Sequence, residues 1–255
     1  IIWKKKKIKI MGKYFTVEVK PTIAASKQHI GAFQGGDVLF DWTEFEIPKG
    51  TARLVNATLL IRPKGDSSPD ANDKATSLVF SKSNTQTLGV INSNVLNRPS
   101  NDFLGNIEFV ATDFTSPNVN STAVATSPTT VKTPFVLSPD MSLAAADGYS
   151  KIYIAGIAGV HDFSTIIRLN DASGNMDVSV AGTTIATDGT SMDIQEHFIA
   201  GDILHAHDDA VIGTVASVTS GTDLELTSNF TASTLLDDDY VYNIHPIRII
   251  LQFEQ

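Results

Sequence analysis

The chain has 255 residues, of which 42% are hydrophobic and 18% charged, with no cysteine and a formal net charge of −9. This length allows one large domain or two small ones with a sizeable core. The lack of cysteine excludes disulfides, thiolate metal sites, iron–sulfur clusters and a cysteine nucleophile. No apolar run approaches the roughly 20 residues that a membrane helix needs, so we expect no membrane partner.

The charge is unevenly distributed. Five lysines lie within the first ten residues, so the rest of the chain carries a formal net charge of −14. Residues 1–11 are a basic leader without the apolar stretch of roughly 7–15 residues or the cleavage site of a signal peptide, and we expect Met11 to be the biological start. The alternative is a native basic arm that binds nucleic acid or an acidic neighbour. The acidic body has no basic cluster, which predicts no nucleic-acid partner.

Apolar and polar residues alternate along the first part of the chain, between turns rich in Pro, Gly and Asp. In Tyr14–Val19, for example, Phe15, Val17 and Val19 share one face, which is typical of a half-buried strand. The turns supply the dihedral angles that reverse the chain, so the pattern favours an antiparallel sandwich over βαβ units. The predicted strands here are 14–19, 37–47, 53–62, 77–82, 106–111, 133–137 and 151–157.

Three segments between these strands lack the alternating strand pattern. Ser138 and Pro139 offer an N-cap and a first helical residue, which predicts a short helix of about two turns that continues to Ala146 and ends at Asp147 and Gly148. Residues 64–74 and 115–130 are predicted to be long loops at the ends of the sandwich.

The pattern changes near Asn170, where short strands with close turns follow one another and aromatic residues become sparse. Short strands of this kind close naturally into a barrel, so we predict a small inserted β-barrel over 171–244. The alternating pattern of a long strand returns at 246–253, and we expect that segment to rejoin the first sheet. The predicted fold is thus all-β: a jelly-roll-like antiparallel β-sandwich over 12–170 plus 245–255, interrupted by the barrel. The predicted strands of the barrel are 177–180, 183–187, 201–206, 211–218, 223–227 and 239–243.

Several segments resemble those of a known class of proteins. Residues 14–21 and 40–54 are similar to an early strand pair of structural proteins in marine tailed phages, particularly those that infect cyanobacteria. Residues 198–204 and 211–218, ending with 238–243, resemble a small β-barrel module of phage virion proteins. The resemblance implies a virion component on the head surface, in contact with the major capsid protein and with further copies of itself.

The best metal-like cluster is His205, His207 and Asp208. On a strand the two histidines would point the same way and could share one ion, with Asp208, Asp209 or His245 as a third ligand. The competing interpretation, which we favour, is a solvent-exposed turn formed by Asp208 and Asp209. The sequence therefore predicts no metal site.

Other chemistry is weakly supported. The three acids at 237–239 lack the ordered spacing of a calcium loop. His161, Asp162 and Ser164 are triad components, but adjacency in sequence does not make a triad, and no Gly-x-Ser-x-Gly elbow, phosphate loop or dinucleotide fingerprint is present. We predict no catalytic residue, no cofactor and no enzymatic activity.

The sequence therefore predicts a non-enzymatic virion structural protein that decorates or stabilises a phage capsid and forms homo-oligomers. The alternative is a carbohydrate- or receptor-binding β-sandwich of a tail fibre or a secreted surface protein. Trp42, Tyr149 and Tyr153 are its candidate sugar-stacking residues, although Trp42 follows an alternating strand and is more typical of a core residue.

Overall fold

The computed structural model describes residues 13–64, 71–96, 102–116, 122–126, 136–137, 149–164, 167–169, 182–186, 194–230 and 239–255. Within these ranges the chain forms sixteen strands, one α-helix, α1 (Ala25–His29), and two short 3₁₀ helices, Ala111–Asp113 and Ile194–Glu196. The predicted helix at 138–146 and the predicted strand at 177–180 lie outside the described residues. The strands are β1 (Tyr14–Val19), β2 (Val38–Pro48), β3 (Ala52–Ile61), β4 (Thr76–Ser81), β5 (Phe103–Phe109), β6 (Phe114–Thr115), β7 (Ala123–Thr126), β8 (Val136–Leu137), β9 (Tyr149–Ala158), β10 (Ile167–Arg168), β11 (Thr184–Ala186), β12 (Ile203–Ala206), β13 (Val211–Val218), β14 (Asp223–Leu226), β15 (Tyr240–Asn243) and β16 (Ile247–Glu254).

The strands form three antiparallel sheets. The first has the order β1-β16-β3-β7-β6, with β8 also pairing with β3, and the second has the order β2-β9-β4-β5. The third sheet has the order β10-β15-β12-β13-β14-β11, and all its strands lie between β9 and β16 in the chain. The prediction of an all-β chain is confirmed.

The first two sheets have the strand order of a jelly roll. Their antiparallel pairs are nested, because β4 pairs with β5, β3 with β7, β2 with β9 and β1 with β16. Successive pairs alternate between the two sheets, as they do when one long hairpin wraps around a core. This is the double-sheet arrangement of jelly-roll proteins, and it confirms the predicted sandwich.

The C-terminal strand β16 shows how the alternation of the sequence produces this packing. Ile247, Ile249, Leu251 and Phe253 are all fully buried and alternate with residues that are partly or fully exposed. The strand lies between β1 and β3, so its inward side chains occupy the middle of the first sheet. The ring of Phe253 stacks on Phe15 at 5.1 Å and on Phe45 of the facing sheet at 6.2 Å, measured between ring centroids.

The facing sheet contains one close approach that requires glycine. Gly156 in β9 lies opposite Phe40 in β2, and the Phe40 ring covers the position that a Cβ atom would take. Since protein cores are close-packed, a methyl group here would displace the ring.

The third sheet is open along the pairs that the structure describes, from β10 at one end to β11 at the other. Closure into a barrel and the domain boundaries at 171 and 244 stay predictions. The buried apolar residues of this sheet belong to the same contiguous core cluster as those of the jelly roll. The apolar cores of the inserted sheet and of the sandwich are therefore continuous.

Two local expectations need correction. The segment 115–130 was expected to be a loop, but Ala123–Thr126 is strand β7, which lies between β3 and β6. Its inward residues Ala123 and Ala125 are buried but small, so the local apolar signal is weak and pairing with β3 decides the structure. Helix α1 has only five residues and was not expected, because a helix this short depends on tertiary packing.

Candidate functional site: the junction between the sheets

A polar network joins the jelly roll to the third sheet. Arg62, next to the end of β3, contacts the carboxylate of Asp202 at 3.0 Å, and both side chains are largely buried, with relative exposures of 17% and 16%. The same carboxylate oxygen accepts hydrogen bonds from the Asn243 side chain at 2.8 Å and from the Ile199 amide at 3.0 Å. Burial lowers the pKa of Arg62, and the charge of Asp202 opposes this shift. The largely buried carboxylate thus accepts from three donors that come from both regions.

The segment between β1 and β2 also packs on the third sheet. The amide of Ile23 donates to the Ile244 carbonyl at 2.8 Å. The fully buried Gln28 of α1 donates from Nε2 to the carbonyls of Ile23 at 2.7 Å and Asn243 at 2.9 Å. These contacts hold α1 against β15.

A second contact of α1 involves the turn after β12. Ser26 donates to the carboxylate of Asp209 from its amide at 3.0 Å and from its hydroxyl at 2.6 Å. Burial raises the pKa of Asp209, but hydrogen bonds from Ser26 and from the Ala25 amide, together with His205, keep that pKa below the ordinary value. Asp209 has a φ of 72°, a left-handed conformation that Asp tolerates better than most residues.

The three residues considered as metal ligands in the sequence each contact a different partner in the structure. His205 is buried, and its Nδ1 lies 3.1 Å from the Asp209 carbonyl oxygen. His207 follows the end of β12, and its Nδ1 lies 3.1 Å from a carboxylate oxygen of Asp239. Asp208 accepts a hydrogen bond from the Ala210 amide at 3.0 Å, as expected of a turn residue. Within the described ranges, no group of three or more His, Cys, Asp or Glu side chains is placed to hold a metal ion.

Sequence reasoning missed a contact between two histidines from distant parts of the chain. His29 in α1 and His207 have ring centroids 5.1 Å apart with an angle of 41° between the ring planes. His29 also contacts the hydroxyl of Tyr242, with Nδ1 2.7 Å from Oη. No local pattern links the two histidines, because the docking of α1 brings them together.

The triad components are not assembled in the way that nucleophilic catalysis needs. Ser164 donates from its hydroxyl to Asp162 at 2.7 Å, whereas Nε2 of His161 lies 3.2 Å from the Thr76 hydroxyl. His161 and His197 are both buried, and burial lowers the pKa of His161 to about 4 and that of His197 to about 3. The two imidazoles are therefore neutral core groups at neutral pH.

The candidate sugar-stacking residues have different environments. Trp42 is partly buried, packs against the small cluster of Val38, Leu88 and Ala155, and donates from Nε1 to the Gln86 carbonyl at 2.9 Å. Tyr153 is 5% exposed, whereas Tyr149 is 46% exposed. Of the three, Tyr149 is accessible for stacking.

Tyr149 lines an open groove between the edge strands β1 and β2. Phe15, Val17 and Phe45 provide apolar surface, and the carboxylates of Glu18, Glu44 and Glu46 add negative charge. This β1–β2 groove is the open side of the sandwich, where an edge strand or an extended ligand has access.

Comparison with known protein families and with curated proteins finds no match to this chain. Among solved structures, the crystal structure of the STIV MCP, a viral major capsid protein, aligns over 95% of this chain and 96% of its own. The identity is 10% and the TM-score is 0.17. A score this low carries no argument about the fold or function of this chain. None of the described helices has the length and apolar character that crossing a membrane requires.

Proposed function

We propose that this protein is a non-enzymatic structural component of a virus particle, which decorates or stabilises the capsid through protein–protein contacts. The observation that carries the proposal is the jelly-roll strand order, with a third sheet inserted between β9 and β16. Jelly rolls occur in viral capsid proteins but also in lectins and cupins, and fold alone does not determine function. The resemblance of 14–21, 40–54, 198–204 and 211–218 to phage structural proteins favours the first of these uses.

The junction between the sheets suits a role in contact formation. A protein that binds through surface area needs a rigid surface, since ordering flexible groups on binding costs free energy. Arg62, Asp202 and Asn243 fix the third sheet on the jelly roll and limit that cost. The −14 charge of the chain after the leader favours contacts with protein surfaces over contacts with nucleic acid.

Binding to particles tests this proposal. Purified protein should bind the head surface of phage particles that lack it, with a saturable, symmetry-related occupancy that is visible by electron microscopy. Antibody labelling of intact virions should place the protein at the same position. Absence from virions, or binding only to tails or host cells, would contradict a capsid role.

A carbohydrate- or receptor-binding module is the second candidate, and the β1–β2 groove favours it. Exposed Tyr149 offers an aromatic face, and the carboxylates of Glu44 and Glu46 can accept hydrogen bonds from sugar hydroxyls. Binding to a glycan array that Tyr149→Ala abolishes would support this function. Tyr14→Ala is the matched control, because Tyr14 is 69% exposed and does not line the groove.

A further inference from the structure

The contact between His29 and His207 has features of a metal site. The rings belong to different parts of the fold, one on α1 and the other after β12, and their centroids lie 5.1 Å apart. Both side chains reach solvent, since His29 is exposed and the side chain of His207 has a relative exposure of 39%. An ion from solution therefore has access to both imidazoles.

The hydrogen-bond partners define which nitrogen of each ring carries the proton. The Tyr242 hydroxyl donates to the Ser164 carbonyl at 2.6 Å, so it accepts from Nδ1–H of His29 at 2.7 Å. A carboxylate oxygen only accepts, so Asp239 accepts from Nδ1–H of His207 at 3.1 Å. In both neutral rings the lone pair is consequently on Nε2. Within the described part of the chain, neither Nε2 atom has a hydrogen-bond partner.

Such a pattern is typical of histidines that bind metal ions. A ligating imidazole usually donates its other N–H to a carboxylate or another acceptor, which sets the tautomer and the ring orientation. Asp239 has this relation to His207, and the Tyr240 amide holds its other carboxylate oxygen at 2.8 Å. Tyr242, which is fully buried, has the same relation to His29.

We propose that His29 and His207 form a two-imidazole site for a divalent transition-metal ion such as Zn²⁺, Ni²⁺ or Cu²⁺, with water in the remaining positions. Zinc–nitrogen distances of about 2.0–2.1 Å place the centroids of two rings bound through Nε2 roughly 5 Å apart. The observed centroid separation of 5.1 Å allows this geometry. This site differs from the metal-like cluster that the sequence analysis considered and did not favour, because His29 takes the place of His205 and Asp208.

Metal binding here would cross-link α1, which lies between β1 and β2, to the third sheet. An ion that binds the folded state and not the unfolded chain raises stability by mass action. With two protein ligands the affinity is modest, so the ion adds to the junction without being required for folding. The inference does not depend on the proposed virion role.

Thermal unfolding of the full chain tests the site. After treatment with EDTA, the melting temperature should rise by about 2–5 °C in about 1 mM Ni²⁺ or Zn²⁺ and stay unchanged in the same concentration of Mg²⁺. His29→Ala and His207→Ala should each abolish the rise. Asp239→Asn should weaken binding by about 10-fold or more, because it loosens the orientation of His207. His245→Gln is the control that should keep the full effect, since His245 contacts the Pro21 carbonyl and lies outside the pair.

A spectroscopic measurement keeps the test independent of stability. Cu²⁺ bound at one equivalent should show hyperfine coupling to two imidazole nitrogens in the intact protein and to one in either single variant. The proposal would be overturned, and a ring contact only would remain, if the intact protein showed no metal-dependent change or if both histidine variants kept the same change as the intact protein.

Discussion

The jelly roll and the third sheet reach a stable structure in different ways. The jelly roll has long strands, with 11 residues in β2 and 10 each in β3 and β9, and it packs two sheets face to face. The strands of the third sheet have between 2 and 8 residues. Short strands bury less apolar surface per sheet, so the third sheet depends more on its neighbours.

The junction reflects this difference. The buried residues of the third sheet continue the core of the jelly roll, and a largely buried ion pair crosses the boundary. The cores of the two regions are thus continuous, and we expect the two regions to unfold in one cooperative transition.

The largest expected effect comes from truncating one core aromatic in each region. Phe253→Ala in the jelly roll and Phe198→Ala beside the third sheet each remove a side chain that is at most 1% exposed. Each should lower the free energy of unfolding by about 3–5 kcal/mol, because a cavity adds to the lost transfer free energy. Urea unfolding followed by circular dichroism and hydrogen exchange should show one transition in both variants. If Phe198→Ala releases only 194–243 before the rest, the regions are energetically separate.

Breaking the ion pair isolates the polar part of the junction. Asp202→Ala removes the carboxylate that Arg62 and the Asn243 amide share, although each keeps one backbone carbonyl acceptor. It should cost about 2–3 kcal/mol, below the roughly 3–5 kcal/mol of a fully buried pair, because some solvent reaches the ion pair. Denaturant unfolding measures the loss. Asp208→Ala is the matched control, since Asp208 is exposed and should cost less than about 1 kcal/mol. Equal losses in the two variants would mean that the ion pair does not stabilise the junction.

A smaller effect is expected inside the jelly roll at the contact between Gly156 and Phe40. Gly156→Ala should cost about 1–3 kcal/mol, because the new methyl group overlaps the Phe40 ring. Gly35→Ala should change stability little, since nothing lies within 4 Å of its Cβ position. The comparison of their unfolding midpoints measures packing at one point of the facing sheet. If Gly156→Ala leaves the unfolding midpoint unchanged, the Phe40 ring moves aside at no cost in stability.

The pH dependence compares one buried histidine from each region. Burial lowers the pKa of His161 in the jelly roll to about 4 and that of His197 near the third sheet to about 3. Below the ordinary histidine pKa of about 6.5, the unfolded chain binds protons that the folded chain does not, so stability falls by about 1.4 kcal/mol per histidine per pH unit. The loss ends once the pH falls below the lowered values.

Denaturant unfolding at pH 7.0 and pH 5.5 measures this effect. His161→Leu and His197→Leu should each reduce the difference between the two pH values by about 1 kcal/mol, while carboxylates affect all three proteins alike. If either variant keeps the full difference in stability between pH 7.0 and pH 5.5, the histidine that it lacks is protonated in the folded wild-type protein at pH 5.5.

Much of the fold was predictable because strand periodicity is a local property. The alternation of β1, β3 and β16 identifies which residues face the core, and the structure buries Val19, Leu59 and Ile249 on that side. Strand β7 was missed because alanine, valine and threonine in a Ser- and Thr-rich segment carry too little apolar contrast. The candidate site was less predictable. The sequence grouped His207 with its neighbours His205 and Asp208, and no pattern pointed to His29.

The sequence by itself determined the all-β class, the acidic body and the sandwich that an inserted segment interrupts, because composition and period-2 patterns act over a few residues. The tertiary structure decided which strands pair, how the inserted sheet shares the core of the jelly roll, and that His29 meets His207. Those features depend on contacts between residues far apart in the chain. They arise when apolar faces pack together, and a local pattern does not specify which two faces pack against each other.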